Sequence, residues 1–242
     1  MEVSRRTLGD THPSTLTTIS NLGLLFNAQG KLSEAEPLFR EALKALRRTL
    51  GDTHPNTLTS INNLGLLLET QGKLSETEPL MREDLEGSRR TLGDTHPDTL
   101  ISINNLGMLL KAQGKLKEAE PLYREALEVQ RRTLGDTHPS TLTSINNLGG
   151  LLQDQGKLNE AEPLFREALA IKRRSLGDAH PDTLCSVIFL AVLLQGQEKS
   201  DEATAIVREV CGDAGNTRRD EPPDLELAYE NLARWFSAFG KS

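Results

Sequence analysis

The stretch Leu8-Gly9-Asp10-Thr11-His12-Pro13 returns as Leu-Gly-Asp-Thr-His-Pro at 50–55, 92–97 and 134–139, and as Leu-Gly-Asp-Ala-His-Pro at 176–181, a spacing of 42 residues each time. A fixed period of roughly 20–50 residues marks a repeat array, in which each unit buries its apolar face only against its neighbours. The 242-residue chain therefore reads as one solenoid over 1–242. Residues 8–49, 50–91, 92–133 and 134–175 are repeats one to four, and 176–217 a divergent fifth. Residues 1–7 match the end of a preceding helix, and 218–242 make a half repeat.

Within the first unit, Leu16, Ile19, Leu22, Gly23 and Phe26 recur at helical spacing. They predict a helix A over about 14–29, stopped by Gly30. A second stripe, Ala35, Leu38, Phe39, Ala42, Leu43 and Leu46, predicts a helix B over about 33–49, ended by Gly51. Ser33-Glu34-Ala35-Glu36 has the form of a capping box at its start. Pro37, Pro79, Pro121 and Pro163 then fall near a first turn, where proline is tolerated, though an earlier helix start would put a bend there. Glu36/Arg40, Glu78/Arg82, Glu120/Arg124 and Glu162/Arg166 stand four apart with the acid first, the pattern of a solvated outer face. Gly23, Gly65, Gly107 and Gly149 each cost roughly 1 kcal/mol relative to alanine. Their recurrence predicts that a neighbouring backbone approaches closely there, and Ala191 fits the same small slot.

Composition limits the function. Hydrophobic residues are 36% and aromatics 4%, too few bulky side chains for a thick core but enough for stacked helix layers. The net charge of -7 and pI near 5.4 argue against nucleic acid or an acidic membrane surface as partner, since phosphate binding needs a basic footprint. No run of about 18 apolar residues exists, and Met1-Glu2-Val3-Ser4-Arg5-Arg6 lacks the apolar core of a signal peptide. A cytoplasmic protein is expected, monomeric unless its ends stack. Cys185 and Cys211 have no disulfide or zinc spacing and read as small packing residues.

His12, His54, His96, His138 and His180 invite a metal reading beside their aspartates. Helices pack about 8–10 Å apart while the ligands of one ion converge within roughly 2.0–2.6 Å. Equivalent histidines on successive repeats therefore cannot share an ion, and Asp10, Thr11 and His12 read as turn and amino-cap residues ahead of Pro13. No nucleophile motif or phosphate-cradling glycine loop is present. Neither catalysis, nor a cofactor, nor a metal is expected.

The small residue in helix A, Ala35 and Ala42 along helix B, and the Gly-Lys-Leu turn between the helices resemble the tetratricopeptide repeat. Asn-Asn-Leu-Gly at 62–65, 104–107 and 146–149 and Gln-Gly-Lys-Leu at 71–74, 113–116 and 155–158 are similar to the 42-residue variant of kinesin light chains and nephrocystin-like proteins. The resemblance implies an all-α, right-handed superhelical solenoid of antiparallel helix pairs, here five pairs plus a sixth helix A. It also implies a scaffold that binds an extended peptide or a partner helix in a concave groove lined by helix A, a cargo adaptor being one case. The second asparagine of each pair then faces the groove: Asn63, Asn105 and Asn147, with Asn21 in the same column after Ser20. One turn on stand Asn27, Glu69, Lys111 and Gln153. A basic clamp for chaperone carboxyl-terminal tails needs several cations, and Lys111 alone qualifies.

By side-chain chemistry, the ladder Asn21, Asn62, Asn63, Asn104, Asn105, Asn146 and Asn147 either pairs with the backbone of a bound peptide or forms inter-helix hydrogen bonds that hold the stack. The rival to a binding scaffold is a structural spacer, or an accessory array cut from a longer multidomain protein. Three departures stand out. Ile19, Ile61, Ile103 and Ile145 replace an aromatic of the family's helix A; Asp84 stands where other repeats place Ala42, Ala126 and Ala168; and Ile188-Phe189 replaces the asparagine pair in repeat five. An unpaired buried carboxylate is costly, so Asp84 puts the packing of repeat two in question.

The ends carry further expectations. Residues 2–7 match 128–133, so the chain starts inside a helix B, as a fragment would. Adding five periods to Asn21-Leu22 gives Asn231-Leu232, which places a sixth helix A at 224–239. Its Tyr229, Trp235, Phe236 and Phe239 either cap repeat five or form a docking patch, and 212–223 reads as a loop.

Overall fold

The computed structural model describes residues 2–214, and side chains over 5–209. The expected sixth helix A, its aromatic residues and Cys211 lie outside these limits. Eleven α-helices and no strands occur among the described residues: α1 (Glu2–Leu8), α2 (Pro13–Ala28), α3 (Leu32–Leu50), α4 (Pro55–Thr70), α5 (Leu74–Leu92), α6 (Pro97–Ala112), α7 (Leu116–Leu134), α8 (Pro139–Asp154), α9 (Leu158–Leu176), α10 (Pro181–Gly196) and α11 (Ser200–Ala214). Even-numbered helices are the A helices and odd-numbered ones the B helices. The described residues form two compact units that divide between 129 and 130. In the first, α2 to α6 pack each on the next, and in the second α8 to α11 do the same.

Each boundary has a local cause. Helix B of the first repeat stops at Gly51, which takes φ +87°, a value that an L side chain adopts only under strain, and whose N–H bonds to the Arg47 carbonyl at 3.0 Å. Pro55 then sits at the first position of α4, and the Nδ1 of His54 accepts the Asn56 N–H at 3.2 Å. His12, His96, His138 and His180 cap α2, α6, α8 and α10 in the same way. The recurring histidine is thus an amino cap, satisfying one of the free N–H groups of each helix A. The aspartate of the hexapeptide has a separate partner: Asp52 lies 3.4 Å from Arg47, and Asp94 3.4 Å from Arg89.

The expected capping box does not form. Helix B starts at Leu32, ahead of Ser33, with Lys31 as a cap that makes no side-chain bond. The cause is the turn before it: Gly30 at φ +73° lets the Lys31 N–H bond the Phe26 carbonyl at 2.9 Å, and this closes the first turn of α3 early. Pro37 therefore lies inside α3 rather than at its first turn, and the helix continues through it.

Apolar layers fill the spaces within and between repeats. Ala35, Phe39 and Leu43 of α3 pack with Leu58, Ile61, Leu64, Leu67 and Leu68 of α4, and Leu16 and Ile19 of α2 with Ala42 and Leu46 of α3. Each fully buried Leu, Ile or Phe contributes about 1.5–3 kcal/mol, so these layers dominate the stability of the stack. The helix A glycines mark close approach, but by a side chain and not by a backbone. A Cβ on Gly23 would meet the Phe39 ring at 2.8 Å, one on Gly107 the Tyr123 ring at 2.7 Å, one on Gly149 the Phe165 ring at 2.8 Å, and one on Gly65 the Met81 Cε at 2.6 Å. In repeat five both members change together: Ala191 is buried and Val207 stands at the ring's position, also buried.

Candidate functional site

Polar side chains that look like surface decoration in the sequence tie one repeat to the next. Glu36 accepts from Arg40 through Oε1 and from Lys73 of the following repeat through Oε2 at 2.8 Å, while Arg40 also reaches Glu76 at 2.8 Å. The lysine beside Glu36 is the main cause that holds its carboxyl down at about 2. Arg47 grips both oxygens of Glu83 at 2.6 Å. The Gln-Gly-Lys-Leu turn supplies the rest, since Gln71 donates to the Leu32 carbonyl at 3.2 Å. The i,i+4 pairs are therefore parts of inter-repeat networks and not only a solvated outer face. The same set recurs in unit two, where Lys199 donates to Glu162 and Arg166 to Glu202. The B helices also border a cleft of about 860 Å³ between α3, α4 and α5, walled by Arg40, Leu43, Arg47, Leu68 and Leu80 among others.

The asparagine ladder falls into two parts. Asn105 donates through Nδ2 to the Oδ1 of Asn62 at 2.8 Å, so the second asparagine of repeat three reaches back to the first asparagine of repeat two. In repeat one that first position is Ser20. Asn63 consequently makes no side-chain hydrogen bond among the described residues, and neither does exposed Asn21. Both line one cleft of about 510 Å³ between α2, α3 and α4. Its walls include Leu16, Leu24, Leu46 and Leu50 with the hydroxyls of Ser20 and Ser60, and the buried Ser60 Oγ has no partner. Asn104, Asn146 and Asn147 are half-buried on α6 and α8, the Asn146 Oδ1 without a partner. Lys111 and Glu69 are half-buried near the ends of α6 and α4, and burial pushes the Glu69 carboxyl up.

One repeat further along the helix A face, the matching cleft is smaller, about 160 Å³, and chemically different. It lies between α4, α5 and α6 and is lined by Asn62, Asp84, Ser88, Asp98, Ser102 and apolar Leu58, Leu92 and Ile101 among others. Asp84 is only 3% exposed. Ser102 donates to its Oδ2 at 2.6 Å, while its Oδ1 accepts no bond among the described residues. Burial pushes the Asp84 carboxyl up to about 6, with nearby Asp98 and Glu83 adding to the rise. Repeat two is nevertheless not disrupted, since α5 runs unbroken through Asp84. The sequence flagged Asp84 as a packing problem but held no sign of the cleft. Cys185 is a correction of another kind: it is exposed on α10 rather than packed, in the column of exposed Thr17, Thr59 and Thr143.

Among the described residues no helix is long and apolar enough to cross a membrane, and no three His, Cys, Asp or Glu side chains are grouped as a metal site would need. Tetratricopeptide repeat models match residues 15–56 and, in overlapping segments, 72–212. A kinesin-light-chain-like protein of nearly identical repeats from Podosopora anserina is 29% identical, with a TM-score of 0.79 over 86% of this chain and 99% of that one. BtubC from P. vanneervenii, at 24% identity, shares the fold with a TM-score of 0.75 over 91% of this chain and 88% of that one. PilF of Pseudomonas aeruginosa, at 19% identity and a TM-score of 0.59, does so over 92% and 84%. No curated protein matches the sequence significantly. Tetratricopeptide repeats typically serve as non-catalytic protein-interaction scaffolds, and the Podosopora anserina neighbour is a kinesin-light-chain-like array. With family models covering more than half of its residues, the chain belongs to the tetratricopeptide repeat family.

Proposed function

We propose that the protein is an interaction scaffold that binds an extended peptide along the helix A face, in the manner of an adaptor similar to kinesin light chains. The observation that carries this reading is the cleft between α2, α3 and α4, where the free amides of Asn21 and Asn63 stand over apolar Leu16, Leu24, Leu46 and Leu50. Such an arrangement suits a peptide twice over. Amide groups donate to and accept from an extended backbone, and the leucines receive its alternate side chains. A cytoplasmic setting and a ligand other than nucleic acid fit the acidic charge of -7.

The bond between Asn62 and Asn105 favours the second reading, stacking, for that pair alone. We therefore assign Asn21 and Asn63 to binding and Asn62 and Asn105 first to the stack, with Asn104 and Lys111 as further contacts in the same unit and Asn146 and Asn147 as the equivalent positions of the second unit. Selection of extended 15-residue peptides by phage display on the full chain tests this. A selected peptide should bind an Asn21→Ala/Asn63→Ala variant about tenfold more weakly while melting temperature stays within a degree or two. Unchanged affinity in that variant refutes the assignment, and a failure to select any peptide favours the spacer reading.

A further inference from the structure

The clefts on either side of α4 occupy matching positions in the repeat, yet they offer different chemistry. Ala42, Leu46 and Asn56 of the earlier repeat are replaced by Asp84, Ser88 and Asp98 in the next. Two carboxylates thereby enter a space that has three apolar walls, Leu58, Leu92 and Ile101, and that no lysine or arginine lines. The volume of about 160 Å³ leaves room for the end of a side chain. Asp84 is the informative group. Its Oδ2 is held by Ser102, its Oδ1 has no partner among the described residues, and the residue is almost fully buried against this space. A buried, singly bonded carboxylate destabilises a fold unless a cation or further donors reach it.

We propose that this cleft receives one lysine or arginine side chain of an extended peptide lying on the helix A face, with Asp84 as its buried ion partner and Asp98 at the mouth. The proposal rests on the peptide-scaffold reading above and adds a charge requirement to it. The aliphatic stem of the incoming side chain packs on Leu58, Leu92 and Ile101, and its charged end reaches the free oxygen of Asp84, the division of labour that long cationic side chains adopt at apolar surfaces. Asn62 and Ser88 supply acceptors for the remaining N–H groups. The preceding cleft, with Leu46 in place of Ser88 and no carboxylate among its walls, takes an apolar residue of the same peptide. Two successive repeats thus specify an apolar position followed by a cationic one.

The test has two arms on the full chain. In the first, methylguanidinium chloride is titrated into isotopically labelled protein against sodium chloride of equal ionic strength. The proposal predicts saturating amide shifts at Ser88 and Ser102 that weaken at least about tenfold in Asp84→Ala and in Asp84→Asn. Equal shifts in the variants, or none in the wild type, overturn it. In the second, a display-selected peptide is compared with versions carrying methionine at each cationic position. A loss of about tenfold at one position in the wild type, absent in Asp84→Ala, supports the proposal. Selected peptides that bind through Asn63 but show no cationic requirement refute the pocket and leave the scaffold reading standing. If no peptide is selected, the scaffold reading fails and the methylguanidinium titration decides the pocket alone.

Discussion

Asn105 and Asn62 are joined by a 2.8 Å hydrogen bond between successive A helices, so this part of the asparagine ladder belongs to the stack. Asn63, facing Ser20 one repeat earlier, has no such bond. Replacing Asn105 by alanine should therefore cost about 0.5–1.5 kcal/mol in urea unfolding, while Asn63→Ala should cost little. Equal losses would show that both amides hold helices together.

Asp84 ties stability to pH. In the fold its carboxyl titrates at about 6 instead of its ordinary 3.8, because burial disfavours the charge. Between these values the folded chain binds the proton that the unfolded chain has lost, so stability falls as pH rises from about 4 to about 6 and stays low above. The difference corresponds to at most roughly 3 kcal/mol. Asp84→Ala, which restores the residue of the other repeats, should raise stability by about 1–3 kcal/mol at pH 8 and by almost nothing at pH 4. In that variant the Ser102 hydroxyl turns to the Asp98 carbonyl, 3.0 Å away. A gain independent of pH would mean that ionisation of Asp84 is not its source.

The helix A glycines should not respond alike to alanine. At Gly107 the new methyl meets the rigid Tyr123 ring at 2.7 Å, whereas at Gly65 it meets the flexible end of Met81 at 2.6 Å. Overpacking against the ring should cost about 1–3 kcal/mol, more than the roughly 1 kcal/mol that alanine gains in helix propensity. Gly107→Ala should lower the melting temperature, and Gly65→Ala should leave it near the wild-type value. Loss of equal size at both would locate the constraint in the backbone.

Glu36 predicts the opposite acid response to Asp84. Lys73 and Arg40 hold its carboxyl near 2, below its ordinary 4.5, so its contribution is present above 4.5 and lost as pH falls towards 2. Its side chain is 18% exposed and joins two repeats, which makes Glu36→Gln cost on the order of 1 kcal/mol at pH 7 and clearly less near pH 2. Urea melts at the two pH values measure this, and an equal cost at pH 2 would point to packing.

Helix pairs, their register and the role of the histidines were legible in the chain because the 42-residue period repeats each local signal, so that Gly51, His54 and Pro55 confirm what Gly9, His12 and Pro13 suggest. Periodicity says less about what each column touches. Glu36 and Arg40 read as a surface pair because their partner Lys73 is 37 residues away, and Gly23 read as a backbone contact because the Phe39 ring above it belongs to another helix. The candidate site was legible only as a column of asparagines. Which of them is free depends on Ser20 standing opposite Asn63, a relation between adjacent repeats rather than a property of either.

The most direct measurement of the central claim is amide hydrogen exchange of the full chain with and without a display-selected peptide. Slowed exchange concentrated in α2, α4 and α6, strongest around Asn21 and Asn63, is the result the account predicts. Slowed exchange confined to the B helices α3, α5 and α7, with these A helices unchanged, would contradict it.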